Sequence, residues 1–388
     1  MRGALRPFGT SIFTEMTALA LRTGAVNLGQ GFPDYDAPEP VKAAAVRAVR
    51  EGHNQYARPY GAPALVEAIA AHQARFQGLA YHPLDEITVT AGATEALLAT
   101  LLGLLEPGDE AILLEPFYDA YRPDLALAGA TWRTVRLPAP GFALDPAALE
   151  AAVGPRTRLL LLNSPHNPTG KVFSPTELEA VADVCRRHDL VAVTDEVYEH
   201  LTFEAPHRSL ASLPGMRERT VVISSGGKTF SCTGWKVGWA CAPAHLTAGV
   251  RAVHQFATFT SGTPFQQAIA EALASGDEVY AGLAGELRAR RDQLCQGLAA
   301  AGLAVLPAPA TYFALVDLGP GGDDLAFCRA LPERCGVAAI PVSAFYGEAD
   351  PVRRYVRFAF CKREETLAEG VRRLAMVRTA GLPGWRGG

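Results

Sequence analysis

Apolar residues follow two different rhythms along this chain. From about Leu84, short apolar runs alternate with longer amphipathic ones. ITVT (87–90), EAILLEP, TWRTVRL, RLLLLN, LVAVTDE, TVVISS and KVGWACA read as strands. ATEALLATLLGLL, which ends at the turn signal PGD, reads as a helix, as do stretches near 145–153 and 175–188. Strands alternating with helices imply βαβ units and a mostly parallel sheet with helices on both faces. Runs such as RLLLLN, with no polar alternation, suit strands buried on both sides. After about Gly262 the rhythm changes. Two helical stretches, the second from roughly Asp277 to Ala301, precede strands near 303–306, 311–318, 337–340 and 354–360 and helices near 323–335 and 363–377. The chain of 388 residues is long for a single core. The expected fold is α/β in two domains. A large domain over 40–280 carries the mostly parallel central sheet. A smaller α+β domain combines 281–388 with the segment 1–39, which shows no sheet pattern of its own.

Composition narrows the classes. Apolar residues make up 49% and charged residues 20%, as in ordered globular proteins. A net charge of −4 without long single-sign runs recruits neither nucleic acid nor an anionic membrane. The start, MRGALRPFGTSIF, lacks a secretory apolar core, and no apolar stretch is long enough to span a bilayer. Seven scattered cysteines with no Cys-x-x-Cys suggest reduced thiols and a cytoplasmic protein. The nine histidines include no His-x-x-x-His pair, so no metal site is expected.

Candidate chemistry gathers at three loops. SSGGKTFSCTGWKVGW (224–239) lies between two predicted strands and carries Lys228 and Lys236. Its glycines let backbone approach a ligand closely, and Lys228 is expected on an irregular loop. The ending GGKT is not a nucleotide-binding P-loop, because Val222 stands where that motif needs glycine. NSPHNPTG (163–170) follows the strand RLLLLN, and TDEVYEH (194–200) follows LVAV. Ligands of open parallel sheets bind at the carboxyl ends of strands. A carboxylate, a phenol, an amide and a lysine should therefore converge there, where desolvation without partners would be costly.

This set resembles the class I/II aminotransferases of the pyridoxal-phosphate fold type I. The likeness is strongest to the branch of kynurenine, glutamine and methionine aminotransferases. NLGQGFPD (27–34), NQYARPYG (54–61), EPFYDAY (115–121), NSPHNPTGKVF (163–173), GKTFSCTGWKVGW (227–239) and YVRFAF (355–360) carry it, over nearly the whole chain from Asn27 to Lys362. The resemblance implies pyridoxal 5′-phosphate as cofactor and a ping-pong transfer of an amino group to a 2-oxo acid. Donors would be neutral or aromatic amino acids of the methionine, glutamine, phenylalanine and kynurenine class. A lyase acting on cysteine S-conjugates would share every cofactor residue. A non-catalytic ligand sensor on this fold would usually carry a DNA-binding segment, and none is evident.

The family's roles map residue by residue. Lys228 matches the lysine that bears the cofactor and then moves a proton at the substrate Cα. Asp195 matches the carboxylate facing the pyridine nitrogen, which it keeps protonated. Asn167 and Tyr198 match the donors to the ring oxygen, with Asn163 as buttress or turn residue. Tyr118 matches the aromatic stacked on the ring. Ala93 and Thr94, at a helix start, with Ser225 and Lys236, match the phosphate ligands. Tyr56 matches a phosphate ligand supplied by a partner subunit, which implies a homodimer with shared sites. Arg357 matches the arginine for the substrate α-carboxylate, and Gly31 lies beside the substrate. Phe13, Phe259 and Tyr312 are candidates for the side-chain pocket. His166 is expected to order its loop.

Overall fold

The computed structural model describes residues 2–347 and 352–385. Its principal sheet has seven strands: β1 (Ile87–Ala91), β2 (Glu110–Glu115), β3 (Thr131–Arg136), β4 (Thr157–Asn163), β5 (Val191–Asp195), β6 (Thr220–Ser225) and β7 (Val237–Cys241). They lie in the order β1-β7-β6-β5-β4-β2-β3. β7 is antiparallel to both its neighbours, and every other pair is parallel.

The unbroken apolar runs are explained by two cores. Along β2 and β4 successive side chains point to opposite faces. Leu113, Leu159 and Leu161 enter one core with Leu97 and Leu101 of helix Gly92–Leu104. Ile112, Leu114, Leu160 and Leu162 enter the other with Leu178 and Val181 of helix Pro175–Arg187. That second helix starts at a capping box, Ser174 with Glu177, which satisfies its first free N–H groups.

A second, antiparallel sheet contains Ala304–Val305, Phe313–Asp317, Ile340–Pro341 and Tyr355–Ala359. Its register places Leu315 opposite Arg357. Helix Asp277–Ala300 runs for 24 residues, close to the expected span.

Two expectations are corrected. Val26–Asn27 forms a short parallel pair with Val337–Ala338, so the N-terminal segment does contribute a strand. Two residues are too few to show a period. Lys228 lies in a single helical turn, Gly226–Thr229, rather than on an irregular loop. Among the described residues no helix is long and apolar enough to cross a membrane, and the seven cysteines are free thiols.

Candidate active site

Five strands deliver polar groups to one edge of the principal sheet. β4 ends at Asn163, β5 at Asp195 and β6 at Ser225, and the register pairs Asn163 with Asp195. β1 runs parallel to β6, so the helix start at Gly92 lies at the same edge. β7 runs the other way, so its first residues, next to Lys236, lie there too. A cavity of about 300 Å³ opens at this edge. Gly31, Ala93, Thr94, Tyr118, Asn163, Asn167, Asp195, Tyr198, Ser225, Lys228 and Lys236 all line it.

The carboxylate of Asp195 is buried and positioned from several sides. Tyr121 donates to Oδ2 at 2.7 Å, and the backbone N–H of Val197 reaches Oδ1 at a long 3.4 Å. Burial pushes its pKa up, and the Tyr121 hydroxyl and Val197 amide pull it back. Asn163 works behind it. Its Nδ2 donates to the carbonyl of Asp195 at 2.8 Å, and its Oδ1 accepts from the amide of Asn167 at 2.7 Å. Of its two readings, the structure shows the buttress. His166 bonds Thr169 at 2.7 Å within the same loop.

Lys228 Nζ donates to the Tyr312 hydroxyl at 2.9 Å, and that hydroxyl donates to the carbonyl of Gly31 at 2.5 Å. Burial lowers the Lys228 amine to about 8, because a desolvated ammonium is costly. Tyr198 packs edge-to-face on Tyr312, with centroids 5.2 Å apart.

An anion cradle lies across the cavity. Lys236 has left-handed backbone (φ 54°), and its Nζ stands 3.4 Å from Thr94 Oγ1. Gly92 also has positive φ, and a Cβ there would meet Lys236 Nζ at 3.0 Å. A Cβ on Gly238 would strike the amide nitrogen of Ala93 at 2.5 Å. The two glycines thus let a lysine and the free amides of a helix start share one small space, which suits phosphate.

Arg357 is buried beside this cavity. Nη1 donates to Asn167 Oδ1 at 2.8 Å and Nη2 to the carbonyl of Gly29 at 3.0 Å, while buried Nε has no partner among the described residues. The guanidinium lies 3.9 Å from the Phe313 ring, with Phe13 and Phe345 at 5.2 and 5.1 Å. Burial lowers its pKa to about 10, so it stays charged at neutral pH. Gly31 is required by close approach, since a Cβ there would meet the Phe313 ring at 2.7 Å.

Two predicted residues stand apart in the single chain. Tyr56 is exposed and packs on half-exposed Phe259 at 5.4 Å. Neither lines the cavity. Sequence reasoning did not single out Tyr121, although it ends the quoted EPFYDAY motif. Its place in that motif, at the start of helix Tyr121–Ala128 and three residues after Tyr118, was the available signal.

The arrangement fits a pyridine ring bearing an aldehyde and a phosphate. It offers a buried carboxylate with no salt-bridge partner among the described residues, an amine near neutrality, an aromatic wall and an anion cradle. The class I and II aminotransferase model matches residues 23–374, and the chain belongs to that family. These are transaminases of fold type I, and they depend on pyridoxal 5′-phosphate. A "probable N-succinyldiaminopimelate aminotransferase" of Mycobacterium tuberculosis is 53% identical over 386 residues, covering 96% of this chain and 97% of its own. A solved structure of the N-succinyldiaminopimelate aminotransferase from that organism superposes with a TM-score of 0.95, covering 97% of this chain and 100% of the other. Methionine aminotransferase of Escherichia coli is 42% identical, covering 96% of this chain and 97% of its own. A human kynurenine–oxoglutarate transaminase is 36% identical, covering 92% and 86%.

Proposed function

We propose that this transaminase takes amino donors whose side chain leaves the α-carbon as an uncharged stem, and that Arg357 holds their α-carboxylate. The observation that carries this reading is the buried guanidinium of Arg357, fixed by Asn167 and Gly29 within electrostatic reach of Lys228. A planar fork binds a carboxylate through two parallel bonds. The nearby aromatic rings of Phe13, Phe313 and Phe345 favour an apolar stem over a second charge.

In this reading Lys228 carries the cofactor and, once released, would take the proton from the substrate Cα as general base and deliver it, as general acid, to the cofactor carbon. Tyr312 holds Nζ of Lys228 in place. Asp195 faces the ring nitrogen, Asn167 and Tyr198 the ring oxygen, and Tyr118 the ring face. Ala93, Thr94, Ser225 and Lys236 hold the phosphate. Bound pyridoxal 5′-phosphate supplies the electron sink that makes the α-proton removable. Tyr56, with Phe259, serves the cavity of a second copy in a cytoplasmic two-fold dimer.

Methionine, glutamine, phenylalanine and kynurenine satisfy the stem requirement. So does N-succinyldiaminopimelate, whose methylenes separate the reacting end from its distal charges. The 53% identity over 96% of the chain favours this last donor specifically. The test is the half-reaction. Holoenzyme is mixed with each donor, without oxo acid, and absorbance follows conversion of the cofactor to its amine form. Conversion by one or more of these donors is expected. Conversion by aspartate alone would overturn the reading. Pyruvate released from a cysteine conjugate without any acceptor would instead indicate the lyase.

A further inference from the structure

A second group of titratable side chains lies outside the cavity. His72 projects from helix Pro63–Gln77, and Glu199 and His200 come from the turn after β5. Nε2 of His72 and Nε2 of His200 face each other at 2.6 Å. One ligand atom from each of the three residues lies within 4.8 Å of the others. The rings of Phe76 and Tyr280 enclose His200, at centroid distances of 4.7 and 4.3 Å.

Hydrogen bonding alone leaves this group unbalanced. Two neutral imidazoles can share only one proton between facing nitrogens. Glu199 Oε1 accepts from Ser224 Oγ at 2.6 Å, but Oε2 is buried with no partner among the described residues. The residue is 5% exposed, so an orphaned carboxylate oxygen here carries a full desolvation cost. A cavity of about 290 Å³ lined by Glu199, His200, Thr202, His207 and Tyr280 gives a route from solvent and room for a water ligand.

We propose that His72, Glu199 and His200 form a site for one divalent transition cation of the zinc class. Two imidazoles and a carboxylate suit such ions far better than magnesium or calcium, which prefer oxygen ligands alone. Zinc–nitrogen bonds of about 2.0–2.1 Å in tetrahedral geometry place the nitrogens about 3.3 Å apart. The two nitrogens, now 2.6 Å apart, must therefore part by about 0.7 Å, and the shared proton becomes unnecessary to the contact. The Ser224 hydroxyl orients the carboxylate from behind, as outer partners of metal ligands do. The cation ties helix Pro63–Gln77 to the segment that bears Tyr198, one residue before Glu199. Ser224 likewise precedes Ser225. The site therefore braces the sheet edge from behind without touching substrate.

The test uses holoenzyme freed of adventitious metal by chelator, then titrated calorimetrically with zinc ion alone. One equivalent per chain is expected, with a higher melting temperature. Magnesium should produce neither change. Glu199→Gln and His200→Ala should each weaken zinc binding at least about tenfold, the low end of the loss seen when a metal site loses a supporting group. His53→Ala, at an exposed position away from the cluster, should bind as the parent does. Absence of stoichiometric uptake by the parent overturns the proposal, as does unchanged uptake by both Glu199→Gln and His200→Ala. If His200→Ala does not fold, the near-isosteric Glu199→Gln decides alone.

Discussion

The two sides of the active cavity hold their polar groups by different means. On the sheet side Asn163, Asp195 and Ser225 are strand-terminal residues, set by the hydrogen-bond register of β4, β5 and β6. On the opposite side Arg357 is aimed by side-chain and carbonyl contacts that come from residues 29, 167 and 313. The sheet side is thus fixed by backbone pairing that no single side chain controls. On the other side the strand of Arg357 has its own register, but its guanidinium is aimed by residues 29 and 167, each more than a hundred positions away, and Asn27–Gly31 has almost no regular structure of its own. Substitutions on the sheet side should change chemistry with little effect on placement. Those on the other side should change placement first.

Lys228 gives the largest expected effect. Lys228→Ala should lower kcat at least about 10³-fold, because both covalent and proton-transfer roles are lost. Folding should persist, since removing a buried amine also removes its desolvation cost. Steady-state turnover and circular dichroism check the two halves, and substantial residual activity would break the comparison at its centre. The pH dependence of the same amine comes next. The neutral amine is the nucleophile, and burial lowers its pKa from 10.5 to about 8. Uptake of pyridoxal 5′-phosphate by apoenzyme should therefore rise about tenfold per pH unit below 8 and level off above it. Linkage has the same sign. Between about 8 and 10.5 the unfolded chain binds the extra proton, so this group makes apoenzyme stability rise with pH across that window. A plateau reached only near 10.5 would mean that the amine is not desolvated.

Arg357→Lys tests the contact-built side. Lysine keeps the charge but loses the fork that meets Asn167 and Gly29 together. We expect kcat/KM for the best donor to fall about 10- to 100-fold, chiefly through KM, with the cofactor spectrum unchanged. A fall carried by kcat alone would show that placement is not what this arginine supplies.

The same contrast explains what was legible in the sequence. RLLLLN, LVAV and TVVISS announced doubly buried strands, and the polar residues after each run marked the sheet edge. Asp195, Tyr198, Asn167 and Lys228 could be placed at that edge because strand ends and loops are local features, whereas the roles of Ala93, Thr94, Tyr118, Ser225 and Lys236 were legible only through the family resemblance. Arg357 was legible through the YVRFAF resemblance, but its partners were not, since Asn167 lies 190 positions away. The Val26–Asn27 strand was missed because two residues carry no periodicity. The pairing of His72 with His200, 128 positions apart, likewise leaves no spacing signal. A search for His-x-x-x-His sees only ligands on one helix.

Tyr121 sharpens the comparison from the sheet side, with the smallest effect. Its hydroxyl donates to Asp195 Oδ2 at 2.7 Å in a fully buried place. Phenylalanine fits the same volume and leaves the strand ends untouched, so placement should hold. The loss is one hydrogen bond to a carboxylate, worth roughly 1.5–3 kcal/mol, only part of which is felt in the rate-limiting step. A fall in kcat of about fivefold is expected, with KM nearly constant. The sign of the pH effect follows from the bond. Tyr121 favours the ionised carboxylate, so its removal lets burial push the Asp195 pKa further up. The acidic limb of the kcat profile should therefore move to higher pH in Tyr121→Phe. An acidic limb that stays in place, with a normal kcat, would show that Asp195 is held by its strand and by Val197 alone.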